Sequence, residues 1–236
     1  MPVIGIDIGG SKIRGILWNG ERAVRASESA TPKRKRDFAL MIPGLVSVLA
    51  RQRPPAGIAV GAAGIVDKTT LVSSPNIPFI KQFDFRPLWP RFTSLRVDND
   101  ARCFARAEFL RGAGRGSKNM FALTIGTGIG RAYGKNGKIV KLKKFEYPEP
   151  WEKEYQSVRN RRDDGELASF LASKLAPLLR PFEPEVIVIG GGVIQCRGFL
   201  PKLRAALKAR GVSGEVRRAA LGRNAVAVGA ALLLRG

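Results

Sequence analysis

The chain has 236 residues, 44% of them hydrophobic, enough for one large domain or for two smaller lobes with cores of their own. Lys and Arg number 41 against 19 Asp and Glu, a formal charge of +22 that attracts polyanions without selecting among them. There is no histidine, which excludes Ser-His-Asp and Cys-His nucleophilic machinery and His-ligated zinc, and leaves a carboxylate as the base for chemistry near neutral pH.

Residues 3–8, Val-Ile-Gly-Ile-Asp-Ile, read as a buried strand interrupted by one carboxylate, Asp7. Burying an unpaired carboxylate costs several kcal/mol or shifts its pKa, so Asp7 calls for a cation or a solvated cleft beside it. Gly9-Gly10-Ser11-Lys12 follows. Paired glycines let backbone N–H groups approach a phosphate, although an ordinary hairpin turn explains the same residues equally well. Residues 13–17 continue as a strand into Asn19-Gly20, the preferred type I′ pair, and a third strand is expected near 23–27. Residues 31–37 form a polar loop with the charge run Lys33-Arg34-Lys35-Arg36. Phe38, Ile42, Leu45, Val46 and Leu49 then mark an amphipathic helix over 38–52, stopped by Pro54-Pro55. Residues 57–61 are a short buried strand, 62–67 the loop leaving it, and 73–78 an extended, turn-rich segment. A short helix over 83–90 would turn Leu88 and Trp89 inward. A strand over 95–97 runs into Asp98-Asn99-Asp100, which suits the cap of a helix over 101–110. Residues 112–116, rich in glycine, end that helix in a loop.

The chain then begins again. Residues 121–125 form a strand followed by Gly126-Thr127-Gly128. Gly126 lies 117 positions after Gly9, and Arg131 and Asn136-Gly137 keep the same offset from Arg14 and Asn19-Gly20. Two hairpins in such register predict duplicated lobes. Residues 141–164 are charged and contain proline, a loop with one short helix. A helix over 166–179 ends at Pro181, and a buried strand over 186–189 delivers Gly190-Gly191-Gly192. An amphipathic helix over 199–210, a short strand over 215–217 and a closing helix over 224–234 complete the chain. The longest charge-free apolar run, 225–234, is too short to span a bilayer, and no signal-peptide pattern opens the chain. A soluble, cytoplasmic protein without a membrane partner is expected. Cys103 and Cys196 are far apart, which fits a reducing compartment and provides no metal cluster. Basic residues are spread along the whole chain, with a second concentration at 135–144, and aromatics make up 8%, few for base stacking. A nucleic-acid partner is therefore not expected; anionic substrates or a basic proteome account for the charge.

Three glycine-rich turns thus follow three buried strands. Neither the P-loop nor the G-x-G-x-x-G pattern occurs, so those modes of nucleotide binding are not supported. Two hairpin turns facing each other across a cleft can instead clamp a triphosphate, with the third turn admitting a base or ribose. At this point the chain resembles a family. IGIDIGGSK (4–12), VDNDARCFARAEFLRGAGRGSKN (97–119), LTIGTGIG (123–130) and VIVIGGGV (186–193) are similar, in order, to the signatures of ROK-type sugar kinases. SPNIP (74–78) and VAVGAALLL (226–234) resemble the family's sugar-site segment and last helix.

The resemblance implies an α/β, two-lobed actin-like ATPase (ribonuclease H-like) fold with duplicated lobes, residues 1–111 plus 224–236 and residues 112–223. It implies that Asp7 holds the Mg²⁺ of Mg-ATP, and that Gly9, Gly10, Ser11 and Lys12 cradle the phosphates from one lobe and Gly126, Thr127 and Gly128 from the other. Gly190, Gly191 and Gly192 would border the adenosine. Asp100 would be the base that takes the sugar hydroxyl proton, with Asn99, Asn76 and Gly64 at the sugar. Phosphoryl transfer needs alignment, a metal and one orienting carboxylate, a set that Asp100 completes in a chain without histidine; the plainer reading makes Asp98 and Asp100 helix caps alone. The chain departs from the family in lacking its Glu-x-Gly-His and cysteine-rich zinc segment, so no zinc is expected. Glu152 or Glu154, in a stretch similar to the family's Glu-Ala-Tyr-Ala-Ser, would replace one sugar ligand, and Arg102 stands where a second Asn is common. The expected function is ATP- and Mg²⁺-dependent phosphorylation of a hexose or related sugar by a monomer or homodimer. The rival readings are a sugar or nucleotide sensor with weakened catalysis and a kinase for an anionic acceptor.

Overall fold

The opening apolar run becomes the middle strand of a five-stranded sheet. A computed structural model describes residues 1–51, 53–90, 94–145, 147–195 and 198–234, and the chain divides into two units, Met1–Ala107 with Arg223–Gly236, and Glu108–Gly222. In the first unit β1 (Val3–Ile8) pairs antiparallel with β2 (Lys12–Trp18), and β2 with β3 (Ala23–Ala30). On its other side β1 runs parallel to β4 (Ile58–Ala62), and β4 to β8 (Leu95–Asn99). The alternation of β1 puts Ile4, Ile6 and Ile8 on one face. There they cluster with Ile13, Leu17, Ile58 and Val60 and with Phe38, Ile42, Leu45, Val46 and Leu49 of α1 (Lys35–Ala50). The helix starts three residues before the expected position; the expected end, Gln52, lies outside the described residues. The opposite face is covered by α6 (Ala225–Ala231) and by α2 (Asp100–Arg111), whose Cys103 lies beneath Gly61. Cys196 lies outside the described residues.

Three expectations for this unit need correction. Residues 62–67 and 83–90 are not a loop and a helix. Ile65–Asp67 (β5), Thr70–Ser73 (β6) and Lys81–Asp84 (β7) form a small antiparallel sheet, and only a single 3-10 turn, Arg86–Leu88, remains of the helix. Phe83 packs edge-on against Phe38 and Phe85 at 5.3 and 5.1 Å, and this cluster fixes β7 against α1. Trp89 is buried as expected. The Asn19-Gly20 turn is not type I′ either. Four residues separate β2 from β3, only Gly20 among them has positive φ, and the Asn19 side chain accepts the N–H groups of Glu21 and Arg22.

The second unit repeats the sheet. Its strands are β9 (Asn119–Ile125), β10 (Ile129–Lys135), β11 (Lys138–Val140), β12 (Val186–Gly190) and β13 (Glu215–Arg218). The sheet order β11-β10-β9-β12-β13 matches β3-β2-β1-β4-β8, an antiparallel meander followed by two parallel strands. Here the type I′ turn does form, with Asn136 at φ 51° and Gly137 at 75°. Helices α3 (Glu152–Asn160), α4 (Asp164–Leu179) and α5 (Phe199–Lys208) supply the rest of the core. Asp163 caps α4 by accepting the N–H groups of Gly165 and Glu166.

The match between the two hairpins is not residue-for-residue. Ile8 pairs with Ile13 across four residues, but Ile125 pairs with Ile129 across three. The one-residue difference turns the second strand over. Arg14 therefore stands opposite Asp7, whereas Arg131, its counterpart in sequence, stands opposite Leu123 and is buried. Among the described residues no helix is long and apolar enough to cross a membrane.

Candidate functional site

In the first unit the pairing aligns Glu28, Arg14, Asp7, Gly61 and Asp98 in one row across the sheet, on the face that meets α2 and α6. Asp7 is the anomalous member. Burial first, and then the charge of Asp100, push its carboxyl up to about 8 against the opposing pull of Arg14. Among the described residues no hydrogen-bond donor reaches the Asp7 carboxylate. Asp7 and Asp100 both keep part of their surface open. Desolvation also raises Asp100, opposed chiefly by the N–H of Ala101, which donates to Asp100 Oδ1 at 2.9 Å.

The capping alternative is divided among the three residues at the head of α2. Asn99 is the cap, accepting the N–H of Arg102 at 3.2 Å. Asp98 holds Arg102 Nε at 2.5 Å and Arg106 Nη2 at 2.9 Å. Asp100 accepts the N–H of Ala101 and its own N–H and, among the described residues, no side-chain donor, so its carboxylate is left for other work. Asn99 also donates from Nδ2 to the Gly64 carbonyl at 2.9 Å, which brings these two sugar-site candidates together.

The Gly9-Gly10-Ser11-Lys12 turn lies beside this group. Gly9 N–H closes the hairpin on the Lys12 carbonyl at 3.0 Å, and Thr31 holds the carbonyls of Gly9 and Ser11. Among the described residues no acceptor takes the Gly10 or Ser11 N–H, which leaves two exposed donors. A Cβ on Gly10 would lie 2.7 Å from the Asn76 carbonyl oxygen, so Gly10 is small because Asn76 packs on it. Lys12 does not reach into the turn; its ammonium pairs with Glu28 at 2.8 Å, and Arg14 meets the other Glu28 oxygen at 3.1 Å. Arg14 also donates from Nε to Asn224 Oδ1 at 2.8 Å. Arg14, Glu28 and Asn224 were not among the expected site residues. The signal for Arg14 and Glu28 was the strand register, which depends on the turn length; Asn224 lies outside the strands, in the turn before α6.

In the second unit the Gly126-Thr127-Gly128 turn is closed by Gly126 N–H on the Gly128 carbonyl at 3.0 Å. The N–H groups of Thr127 and Gly128 have no acceptor among the described residues. Tyr155 Oη and Arg159 Nη1, one turn apart on α3, both donate to the Gly126 carbonyl at 2.7 Å. These two anchors were also unforeseen, although their i,i+4 spacing was legible. Gly191 has φ 98° and a Cβ there would lie 2.3 Å from the Ile125 carbonyl oxygen, so the Gly190-Gly191-Gly192 segment is pressed onto the end of β9. Gly192 faces open space.

Glu152 and Glu154 have other partners here. Glu152 Oε1 accepts from Arg131 Nη2 at 2.8 Å and from the N–H of Glu149, which answers the charge that the register difference buries. Glu154 is exposed and pairs with Lys174 at 3.6 Å. Among the described residues no group of three or more Asp, Glu, Cys or His could hold a metal by itself.

Comparison with known proteins agrees with these motifs. The ROK family matches residues 3–142 and 164–236, and so passes over most of the segment that carries α3. An N-acetyl-D-glucosamine kinase of Aliivibrio salmonicida is 30% identical over 142 residues, 57% of this chain and 47% of that protein. The chain spans about half the length of the curated relatives it matches. The solved ROK family glucokinase from Streptomyces griseus, in complex with glucose and AMPPNP, superposes with a TM-score of 0.83 over 100% of this chain and 99% of that one, at 23% identity. The inorganic polyphosphate/ATP-glucomannokinase of Arthrobacter sp. strain KM gives 0.80 over 99% and 98%, at 26% identity. The fold is thus the actin-like ATPase fold with its repeated sheet, and the chain belongs to the ROK family.

Proposed function

We propose that the protein is a sugar kinase, transferring the γ-phosphoryl group of Mg-ATP to a hydroxyl of a hexose or related polyol. The observation that carries this reading is the Asp7–Asp100 pair: two partly open carboxylates, each raised by desolvation, with the charge of Asp100 acting on Asp7, beside a turn with two N–H donors that no acceptor takes among the described residues. Asp100 is the base. A raised carboxyl is a stronger base than an ordinary one, which helps a proton transfer run near neutral pH. The acceptor O–H gives its proton to Asp100, its oxygen bonds to the γ-phosphorus, and the bond to the β–γ bridging oxygen breaks with the electron pair leaving on ADP.

Asp7 suits Mg²⁺, since that ion is commonly held by one or two carboxylates together with substrate phosphates, and among the described residues Asp7 has no competing donor. Bound there, the ion would supply charge neutralisation to the β- and γ-phosphates. The free N–H groups of Gly10 and Ser11 in one unit, and of Thr127 and Gly128 in the other, suit phosphate oxygens. Asn99, which precedes Asp100 and holds the Gly64 carbonyl, and Asn76, which packs on Gly10, are with Gly64 the acceptor ligands in this reading. For Glu152 the pair with Arg131 supports a structural use, and for Glu154 the exposed contact with Lys174 does.

The substrates named for the relatives, N-acetyl-D-glucosamine and glucose, set the acceptor class to test first. The engagement of Glu152 favours a second reading, a sensor that binds sugar or nucleotide with weak turnover. The charge of +22 favours a third, a kinase for anionic acceptors. ADP release from Mg-ATP, followed across a panel of neutral sugars and sugar acids, separates them. Stimulation by a neutral sugar supports the kinase; tight nucleotide binding without stimulation supports the sensor, and stimulation by acids alone the third reading.

A further inference from the structure

We infer that Arg14 is a phosphate ligand whose guanidinium, fixed beside Asp7 by Glu28 and Asn224, binds the terminal phosphates of the nucleotide and takes up the charge that develops as the phosphoryl group leaves. The first half of that statement rests on the nucleotide binding proposed above, and the second half on phosphoryl transfer as well.

Arg14 stands directly opposite Asp7 on the paired strand, so the two side chains leave the same face of the sheet as neighbours. Its guanidinium is held at two points, Nε on Asn224 Oδ1 at 2.8 Å and Nη1 on Glu28 Oε2 at 3.1 Å. Among the described residues nothing accepts from Nη2, which leaves that nitrogen and its two N–H groups unengaged on an ordered guanidinium. The two N–H groups of Nη2 suit phosphate oxygens, and the side chain loses little freedom on binding them because it is already ordered. The charge count at the turn points the same way. One carboxylate, Glu28, serves two cations, Lys12 and Arg14, so a positive surplus remains beside the free N–H groups of Gly10 and Ser11. A purely structural ion pair would need only one of those cations. Arg14 is only 13% exposed in its side chain, so its charge is less screened than that of Lys12 at 68%.

The duplication supplies an internal contrast. Arg131 is the sequence counterpart of Arg14, yet the shorter second turn carries it into the core and onto Glu152 and the Tyr147 carbonyl. Only Arg14 is delivered to a turn with unclaimed donors.

The test compares binding of ATP and of AMP to the wild-type protein, Arg14→Met and Arg14→Lys by calorimetry, with thermal unfolding as a check on the fold. Arg14→Met is expected to weaken ATP binding about tenfold to a hundredfold while AMP binding holds, since AMP lacks the phosphates that Arg14 meets. Arg14→Lys should recover part of the loss, keeping the charge without the hold that Asn224 and Glu28 give the guanidinium. With the best acceptor, kcat for Arg14→Met should fall by about 10²–10³. Unchanged ATP affinity in Arg14→Met overturns the inference, as does a parallel loss of ATP and AMP or a lysine variant no better than methionine. If Arg14→Met does not fold, Arg14→Lys against wild type decides, and equal ATP affinities would overturn it. Absence of acceptor-stimulated ADP release by the wild type counts against the kinase reading; the comparison of ATP with AMP still decides Arg14.

Discussion

Asp7→Asn tests the electrostatic reading of the sheet without reference to any substrate. The side chain keeps its shape and loses its charge. The Asp7 carboxyl rises from 3.8 to about 8 on folding. Below pH 4 it is protonated in both folded and unfolded chains and contributes no difference. Between about 4 and 8 the folded chain keeps a proton that the unfolded chain has lost, so this group's contribution to stability falls as pH rises. Above about 8 the carboxylate is charged in both states and the penalty is constant. A shift of about 4 units corresponds to about 5 kcal/mol for a rigid site; water at the open edge of Asp7 and local relaxation reduce this to about 2–3 kcal/mol. For a chain of this size that is about 5–10 °C in Tm. Scanning calorimetry of both proteins from pH 5 to 9, with chelator and without nucleotide, should give a Tm advantage for Asp7→Asn that grows with pH and levels off near 8. Added Mg-ATP should raise the wild-type Tm at pH 8 and leave the variant's nearly unchanged. A difference between the two proteins that is the same at every pH would refute the account of Asp7.

Two further substitutions separate packing from ligand binding in the second unit. Gly191→Ala introduces a Cβ 2.3 Å from the Ile125 carbonyl oxygen at positive φ and should cost about 2–4 kcal/mol, whereas Gly192→Ala meets nothing and should stay within about 0.5 kcal/mol. Urea titrations compare them, and a weaker affinity for ATP in the stable Gly192→Ala protein would mark that position as nucleotide-facing. Glu152→Ala leaves the buried Arg131 guanidinium only the more distant Glu149 carboxylate, at 3.9 Å, and should cost up to about 3–5 kcal/mol while the acceptor KM of the folded protein holds. A raised KM at unchanged stability would instead make Glu152 a sugar ligand.

The parts of this fold that were legible in the sequence are those whose burial imposes a period. Ile4, Ile6 and Ile8 announce a strand with one buried face, and Phe38, Ile42, Leu45, Val46 and Leu49 a helix that covers it. The sheet of β5, β6 and β7 was not legible, because strands of three or four residues are too short to display a period and Phe83 and Phe85 fit a helix as well. The turn chemistry of Asn-Gly was right at Asn136-Gly137 and wrong at Asn19-Gly20, where two more residues intervene and Asn19 closes the loop with its side chain. Asp7 stood out because a carboxylate in an apolar strand needs a reason, and Asp98-Asn99-Asp100 because three short polar residues open a helix. The division of labour among those three appears only with Arg102 and Arg106 in place. Arg14 was hidden for a simpler cause. Which residue faces Asp7 depends on whether four or three residues make the turn, and composition does not encode that. The same arithmetic sends Arg131 inward and draws Glu152 to it, so the segment that the family does not match has acquired a partner inside its own unit.

The central claim is that Asp100 takes the proton of an acceptor hydroxyl during phosphoryl transfer. The most direct measurement is steady-state turnover of wild type and Asp100→Asn with Mg-ATP and the best acceptor of the panel, with circular dichroism and ATP affinity recorded on the same samples. Asparagine keeps the shape and cannot accept the proton, so kcat should fall by about 10²–10⁴ while fold and ATP affinity persist. Turnover within a few-fold of wild type in a folded, ATP-binding variant would contradict the account.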